Sequence, residues 1–224
     1  MPDTVELQNH FGQSGQQRHG CGFPQAHLLA MFDAATGLLV KLLAAPLRTH
    51  DQSQVAELHP ELAAGDVLVT DRGLASYVHL ALILGRNLHA VFRAHQRQLV
   101  SFRRDRRLSG RQPRGTVARH ANSRLIHKLG RFDQVVEYTK PPRCPDWMDA
   151  ATFATLPETI LVRELRYRTR VAGFRTREII LVTTLLDAER YPLAELAKLY
   201  HRRWEIEVYQ PECTSSVGLY QLAA

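Results

Sequence analysis

At 224 residues, with 45% hydrophobic and 23% charged residues and with 13 Gly and 11 Pro along its length, the chain has the composition of a folding domain with one sizeable core, not of a disordered, fibrous or repeat protein. Three widely spaced cysteines (Cys21, Cys144, Cys213) exclude a disulfide framework or a clustered thiolate metal site, and no apolar run nears the roughly 20 residues that cross a bilayer, so a soluble cytoplasmic protein is expected. The formal charge of +7 favours a polyanionic partner.

The first twenty or so residues, rich in Gln, Gly and His, read as a loop or arm. From His27 the run HLLAMFDAATGLLVKLLAAPL reads as a strand hairpin turning at Ala34 to Gly37, with Asp33 ending its first strand. Ser53 caps a predicted helix through Val55, Leu58 and Leu62, which Gly65 stops. Asp66 to Thr70, DVLVT, is a short, nearly continuous apolar run of the kind buried in a central sheet, and it delivers Asp71 at its carboxyl end. A helix from Ser76, striped by Tyr77, Leu80, Ala81 and Leu84, ends at Gly85 and Asn87, and Leu88 to Arg93 is the next strand. Alternating strands and helices of this kind give an α/β fold around a mixed sheet, with functional residues at the carboxyl ends of central strands. Asp71 occupies such a place.

Between Arg86 and Arg131 there are 13 basic residues, twelve of them Arg, and one acid, Asp105. Residues 1–85 are net negative and residues 132–224 nearly neutral, so this stretch holds more than the whole positive excess. The Arg fork suits phosphate oxygens, which makes Arg103, Arg104, Arg106, Arg107, Arg111 and Arg114 candidate DNA-binding residues. A solvated basic loop is the alternative. From Ala94 to Thr176 short β-branched segments (QLVSF, GTVAR, RLIHKL, QVVEYT, TILVREL, VAGFRTR) suggest an inserted strand-rich subdomain, followed by a return strand, EIILVTTL, from Glu178.

After Pro192, LAELAKLYHRRWEIEVYQ is the most helix-like stretch, with Leu193, Leu196, Ala197, Tyr200, Trp204 and Val208 as its apolar stripe. Glu207, seven residues after Tyr200, points into that stripe, where Arg203 four residues earlier offers it an ion pair as the structural alternative. Asp71 and Glu207 thus form a candidate pair of divalent-ion ligands, of the type that serves phosphodiester chemistry, although two ions normally want a third carboxylate. The histidines lack metallopeptidase spacing, and no phosphate loop or dinucleotide fingerprint is present, so no nucleotide cofactor is expected.

The segments MPDTVELQNHFG, GCGFPQAHLLAMFDAATGLL, THDQSQVAELHPELAAGDVLVTDRGLASYVHLALI and YPLAELAKLYHRRWEIE closely resemble the IS4 family of bacterial insertion-sequence transposases, over residues 1 to about 210. The resemblance implies an RNase H-like catalytic core (residues 1–93, then 177–210) interrupted by a basic strand-rich insertion (94–176) and followed by an altered tail (211–224). It implies cut-and-paste transposition by an Asp, Asp, Glu triad with Mg²⁺ or Mn²⁺. Asp71 then corresponds to the second acid and Glu207 to the third, within a Tyr, Arg, Glu, Lys signature that Tyr200, Arg203 and Glu207 keep and Thr214 breaks. The family's first Asp would lie upstream of MPDT, so the chain reads as N-terminally truncated, without its first strand and with a sheet edge or cavity exposed. The implied partners are double-stranded DNA at insertion-sequence ends and, by self-association or otherwise, a full-length transposase. The implied activity of this chain is low or nil, with a DNA-binding, interfering remnant as the alternative.

Overall fold

The computed structural model describes residues 2–13, 23–108, 120–169, 177–209 and 218–222, with the backbone alone for 177, 204–209 and 218–222. Among the described residues nine strands form one sheet: β1 (Ala26–Asp33), β2 (Leu39–Pro46), β3 (Val67–Thr70), β4 (His89–Arg93), β5 (Arg124–Gly130), β6 (Asp133–Thr139), β7 (Thr159–Thr169), β8 (Arg177–Thr183) and β9 (Gly218–Leu222). Their order is β2-β1-β9-β3-β4-β8-β7-β6-β5. The helices are α1 (Val5–Phe11), α2 (Asp51–Leu58), α3 (Tyr77–Gly85), α4 (Ala150–Thr155) and α5 (Leu193–Tyr209). This is the expected α/β class, a mixed sheet with flanking helices.

The apolar pattern of the central strands explains the layering. β3 and β4 run parallel, and successive residues enter opposite cores. Leu68, Ala90 and Phe92 pack with Val55 and Leu58 of α2 and with Val78, Leu80 and Ile83 of α3. Val69 and Val91 pack on the other face with Leu196 and Tyr200 of α5. Helices on both faces require strands without a polar side, which is why DVLVT does not alternate. Each fully buried Leu or Val contributes about 1.5–3 kcal/mol over its exposed state, so the two clusters fix the central strands firmly.

Several local expectations change. The N-terminal arm contains α1, capped by the Thr4 hydroxyl accepting from the Leu7 amide at 3.3 Å. α2 begins at Asp51, and Ser53 instead donates its hydroxyl to the His50 carbonyl at 2.7 Å. Ser76 caps α3 as expected. QLVSF is not a strand; GTVAR and most of VAGFRTR lie outside the described residues. The return strand β8 pairs antiparallel with β4 and β7 with β8, so β5 to β7, from the stretch read as an insertion, prolong the central sheet. A bidentate ion pair ties this half together, with the fully buried Arg163 of β7 donating to Asp133 of β6 and, through Nη1, to the Tyr191 carbonyl ahead of α5 at 2.7 Å.

β9, from the tail read as altered, lies between β1 and β3, parallel to β1 (Phe32 opposite Tyr220) and antiparallel to β3 (Val69 opposite Tyr220). Its backbone joins the β1–β2 hairpin to the rest of the sheet, a service that any extended segment with free amides and carbonyls can provide.

Candidate functional site

Asp71 follows the last residue of β3 and precedes a 3-10 turn, Arg72–Leu74, which lifts its side chain to the end of the sheet with about a third of it exposed. Two elements converge on it. The parallel pairing sets Thr70 opposite Phe92, so the next residues, Asp71 and Arg93, stand side by side at the strand ends, with Arg93 Nη1 3.6 Å from Asp71 Oδ1. From α5, the fully buried Tyr200 donates its hydroxyl to the same Oδ1 at 2.9 Å, a bond spanning 129 residues of sequence. Burial pushes the Tyr200 phenol up from its ordinary value, with the Asp71 charge adding to the shift, so Tyr200 remains a proton donor at neutral pH.

Arg203 lies one turn further along α5. It is 4% exposed and places its guanidinium over the Tyr200 ring, 5.3 Å from the centroid. Tyr167 of β7 completes the group, its phenol pushed up by burial and by Tyr200 while Arg93 and Arg203 pull it down. Tyr167 also lines a groove of about 530 Å³ with Arg168, Lys198, His201 and Arg202. Because the His201 ring contacts both Tyr167 and Tyr200, this basic groove adjoins the aromatic wall of the acid site.

The structure therefore brings together Asp71, Tyr200 and Arg203 and adds Arg93, which sequence reasoning had counted only as one of many basic residues. Its signal was positional: the last residue of a strand parallel to the one that delivers Asp71. Glu207 lies on α5 four residues beyond Arg203, and its side chain is outside the described residues. Asp33 accepts from the amides of Ala35 and Thr36, donors that hold its carboxyl below its ordinary value, and β1 runs antiparallel to β3, which puts Asp33 at the opposite end of the sheet.

Of the candidate DNA-binding arginines, Arg103, Arg104 and Arg107 are exposed on the loop after β4, whereas Arg111 and Arg114 lie outside the described residues. Arg106 is half-buried, and its guanidinium turns inward to the Ser101 carbonyl at 2.5 Å and to Ser123, 3.8 Å from the buried Glu164 carboxylate. Among the described residues no three His, Cys, Asp or Glu side chains are gathered closely enough to hold a metal ion.

The sequence matches the family described as Transposase DDE domain over residues 3–218. It is also similar to transposase InsG for insertion sequence element IS4 of Escherichia coli (strain K12), at 22% identity over 208 residues, which cover 92% of this chain and 40% of that relative. The chain thus spans well under half the length of the curated relative it matches.

Proposed function

The chain belongs to the transposase DDE-domain family, and from that premise we propose that it engages the double-stranded DNA ends of an insertion sequence through a core whose acids are Asp71 and Glu207. The observation that carries this reading is the Tyr200 to Asp71 hydrogen bond, which supports a meeting of the late helix with the acid strand. Tyr200 orients the carboxylate and keeps its proton, and Arg93 with Arg203 provides positive charge for a phosphodiester oxygen beside it. The groove of Arg168, Lys198 and Arg202 extends that positive surface.

The family implies a divalent metal, Mg²⁺ or Mn²⁺ in this proposal, which when bound would stabilise phosphoryl charge and activate a hydroxyl. Asp71 is a suitable oxygen donor, but the described residues do not by themselves complete an ion site. Arg93 instead sits where a cation would neutralise Asp71. In this proposal the chain binds insertion-sequence ends and turns them over slowly or not at all, because Arg93 already neutralises Asp71. In that form it acts as a DNA-binding protein able to interfere with an active transposase; the exposed Arg103, Arg104 and Arg107 favour this second reading.

The test is an end-cleavage and binding assay on DNA carrying the cognate termini, with Mg²⁺ and then Mn²⁺. Binding with little cleavage is expected. Substantial turnover that disappears in Asp71→Ala would overturn the low-activity reading while supporting the acid assignment, and absence of any binding would overturn the DNA reading itself.

A further inference from the structure

A second charged region, sharing no residue with the Asp71 site, lies where the loop after β4 meets the outer strands β5 to β7. Its centre is a pair of half-buried rings, Phe102 and Phe132, in edge-to-face contact with centroids 6.1 Å apart. Three cations lie over these rings. The Arg166 guanidinium of β7 is 4.0 Å from the Phe132 centroid and 5.2 Å from that of Phe102; Lys128 of β5 is 5.3 Å over Phe102, and Arg131 of the β5–β6 turn is 5.0 Å over Phe132. Hydrogen bonds fix the frame. Lys128 Nζ donates to the Phe102 carbonyl at 2.6 Å and to Gln134 at 2.5 Å, and the Arg166 amide donates to the Phe132 carbonyl at 2.9 Å.

The acids facing this group are few. Glu178 pairs with Arg166 at 3.1 Å, and Glu164 lies fully buried behind, already bonded to Gln134, Tyr138 and Ser123. The positive field is strong enough to act on the cations themselves: after burial, the largest influence holding the Lys128 ammonium below its ordinary value is Arg106, with Arg104 and Arg166 adding to it while Glu164 opposes. Exposed Arg103, Arg104 and Arg107 border the same loop.

We propose that Lys128, Arg131 and Arg166, held in place by Phe102 and Phe132, form a preordered cation array that grips the phosphate backbone of duplex DNA without reading its sequence. The identity of the polyanion as DNA rests on the functional reading above; the array is separate from Asp71. The rings are covered by cations, so they are not offered to unstacked bases, which favours backbone contact over base stacking. Their role is to fix long side chains in advance, so that less freedom is lost when phosphate arrives.

The test is equilibrium binding of the purified chain to a 30-base-pair duplex of unrelated sequence across a salt series, with each variant's thermal unfolding as a fold control. Arg166→Gln and, separately, the exposed Arg131→Gln each weaken binding by ~5- to 10-fold near 0.1 M salt and reduce the log–log salt slope by about 0.9. Phe102→Leu keeps every charge and still weakens binding by about threefold, since the cations lose their seats. Arg143→Gln, which removes an exposed charge outside the array, binds as the parent does, so that the loss in the array variants is not one of net charge alone. Parental affinity and slope in both Arg variants would overturn the array, as would binding to phosphatidylserine vesicles but not to the duplex.

Discussion

Two carboxylates in this molecule have nearly the same neighbours and opposite characters. Asp71 accepts from the Tyr200 hydroxyl at 2.9 Å and faces Arg93 at 3.6 Å; Glu164 accepts from the Tyr138 hydroxyl at 3.0 Å and faces Arg106 at 3.8 Å. Residue types alone would rank them equal. The difference is saturation and exposure. Glu164 also accepts from Gln134 at 2.7 Å and Ser123 at 3.2 Å and has no exposed surface, whereas Asp71 is about one-third exposed at a strand end. A closed network orders the outer strands and leaves nothing over for a ligand, while an open carboxylate with an oriented partner is available for chemistry.

That contrast is broken most forcefully by removing each acid in turn. Glu164→Ala leaves the Gln134 amide, the Tyr138 hydroxyl and the Arg106 charge buried without their acceptor, so urea unfolding should show a loss of about 3–5 kcal/mol. Asp71→Ala should change stability by only about 1 kcal/mol or less, because water reaches the groups it leaves behind. Comparable losses in the two variants would show that Asp71 is as structural as Glu164.

Acidification separates the regions next. His79 is buried, stacks on Trp147 with ring centroids 4.8 Å apart, and is pushed down to about 3 by burial and by His59; His59 is itself pushed down to about 4 by burial and Arg86. Both have folded values below their ordinary 6.5, so the unfolded chain binds protons first, and stability should fall as pH drops from 6.5 towards 4. Glu164 has the opposite sign: burial raises it above 4.5, so its contribution to stability falls as pH climbs from 4.5 through its folded value. Chemical denaturation at pH 6.5 and 4.5 should lose up to about 3 kcal/mol per buried histidine, and His79→Phe, which keeps the stack on Trp147, should remove its share of that slope. An unchanged slope in His79→Phe would mean that His79 is not buried in its neutral form.

The same contrast marks what was legible in the sequence. Asp71 could be found because DVLVT, a short apolar-rich run after Gly65 without alternation, has the length and β-branched content of a strand buried on both faces, and an acid at its end stands out. Tyr200 and Arg203 followed from helical spacing together with the family signature. Arg93 could not be separated from its basic neighbours until the parallel register of β3 and β4 set it beside Asp71. Glu164 was hidden for a related reason: TILVREL reads as a strand, but its acceptors are filled from Gln134, Tyr138 and Ser123, a meeting made by tertiary pairing. β9 was missed because its partners, β1 and β3, lie about 150 residues or more upstream, and no local pattern in GLYQL announces them.

The finest test uses the two tyrosines, since Phe removes one hydroxyl and almost no volume in each case. Tyr138→Phe takes a donor from a carboxylate that water cannot reach, and its hydroxyl also accepts from the Gln98 amide, so two partners lose a bond. A loss of about 2 kcal/mol is expected there. Tyr200→Phe takes a donor from Asp71, where water can replace it, and should cost about 1 kcal/mol or less by thermal or urea denaturation. If the order is reversed, Asp71 is held in place by Tyr200 more tightly than its exposure suggests, and its orientation, not its access to ligand, becomes the property that α5 controls.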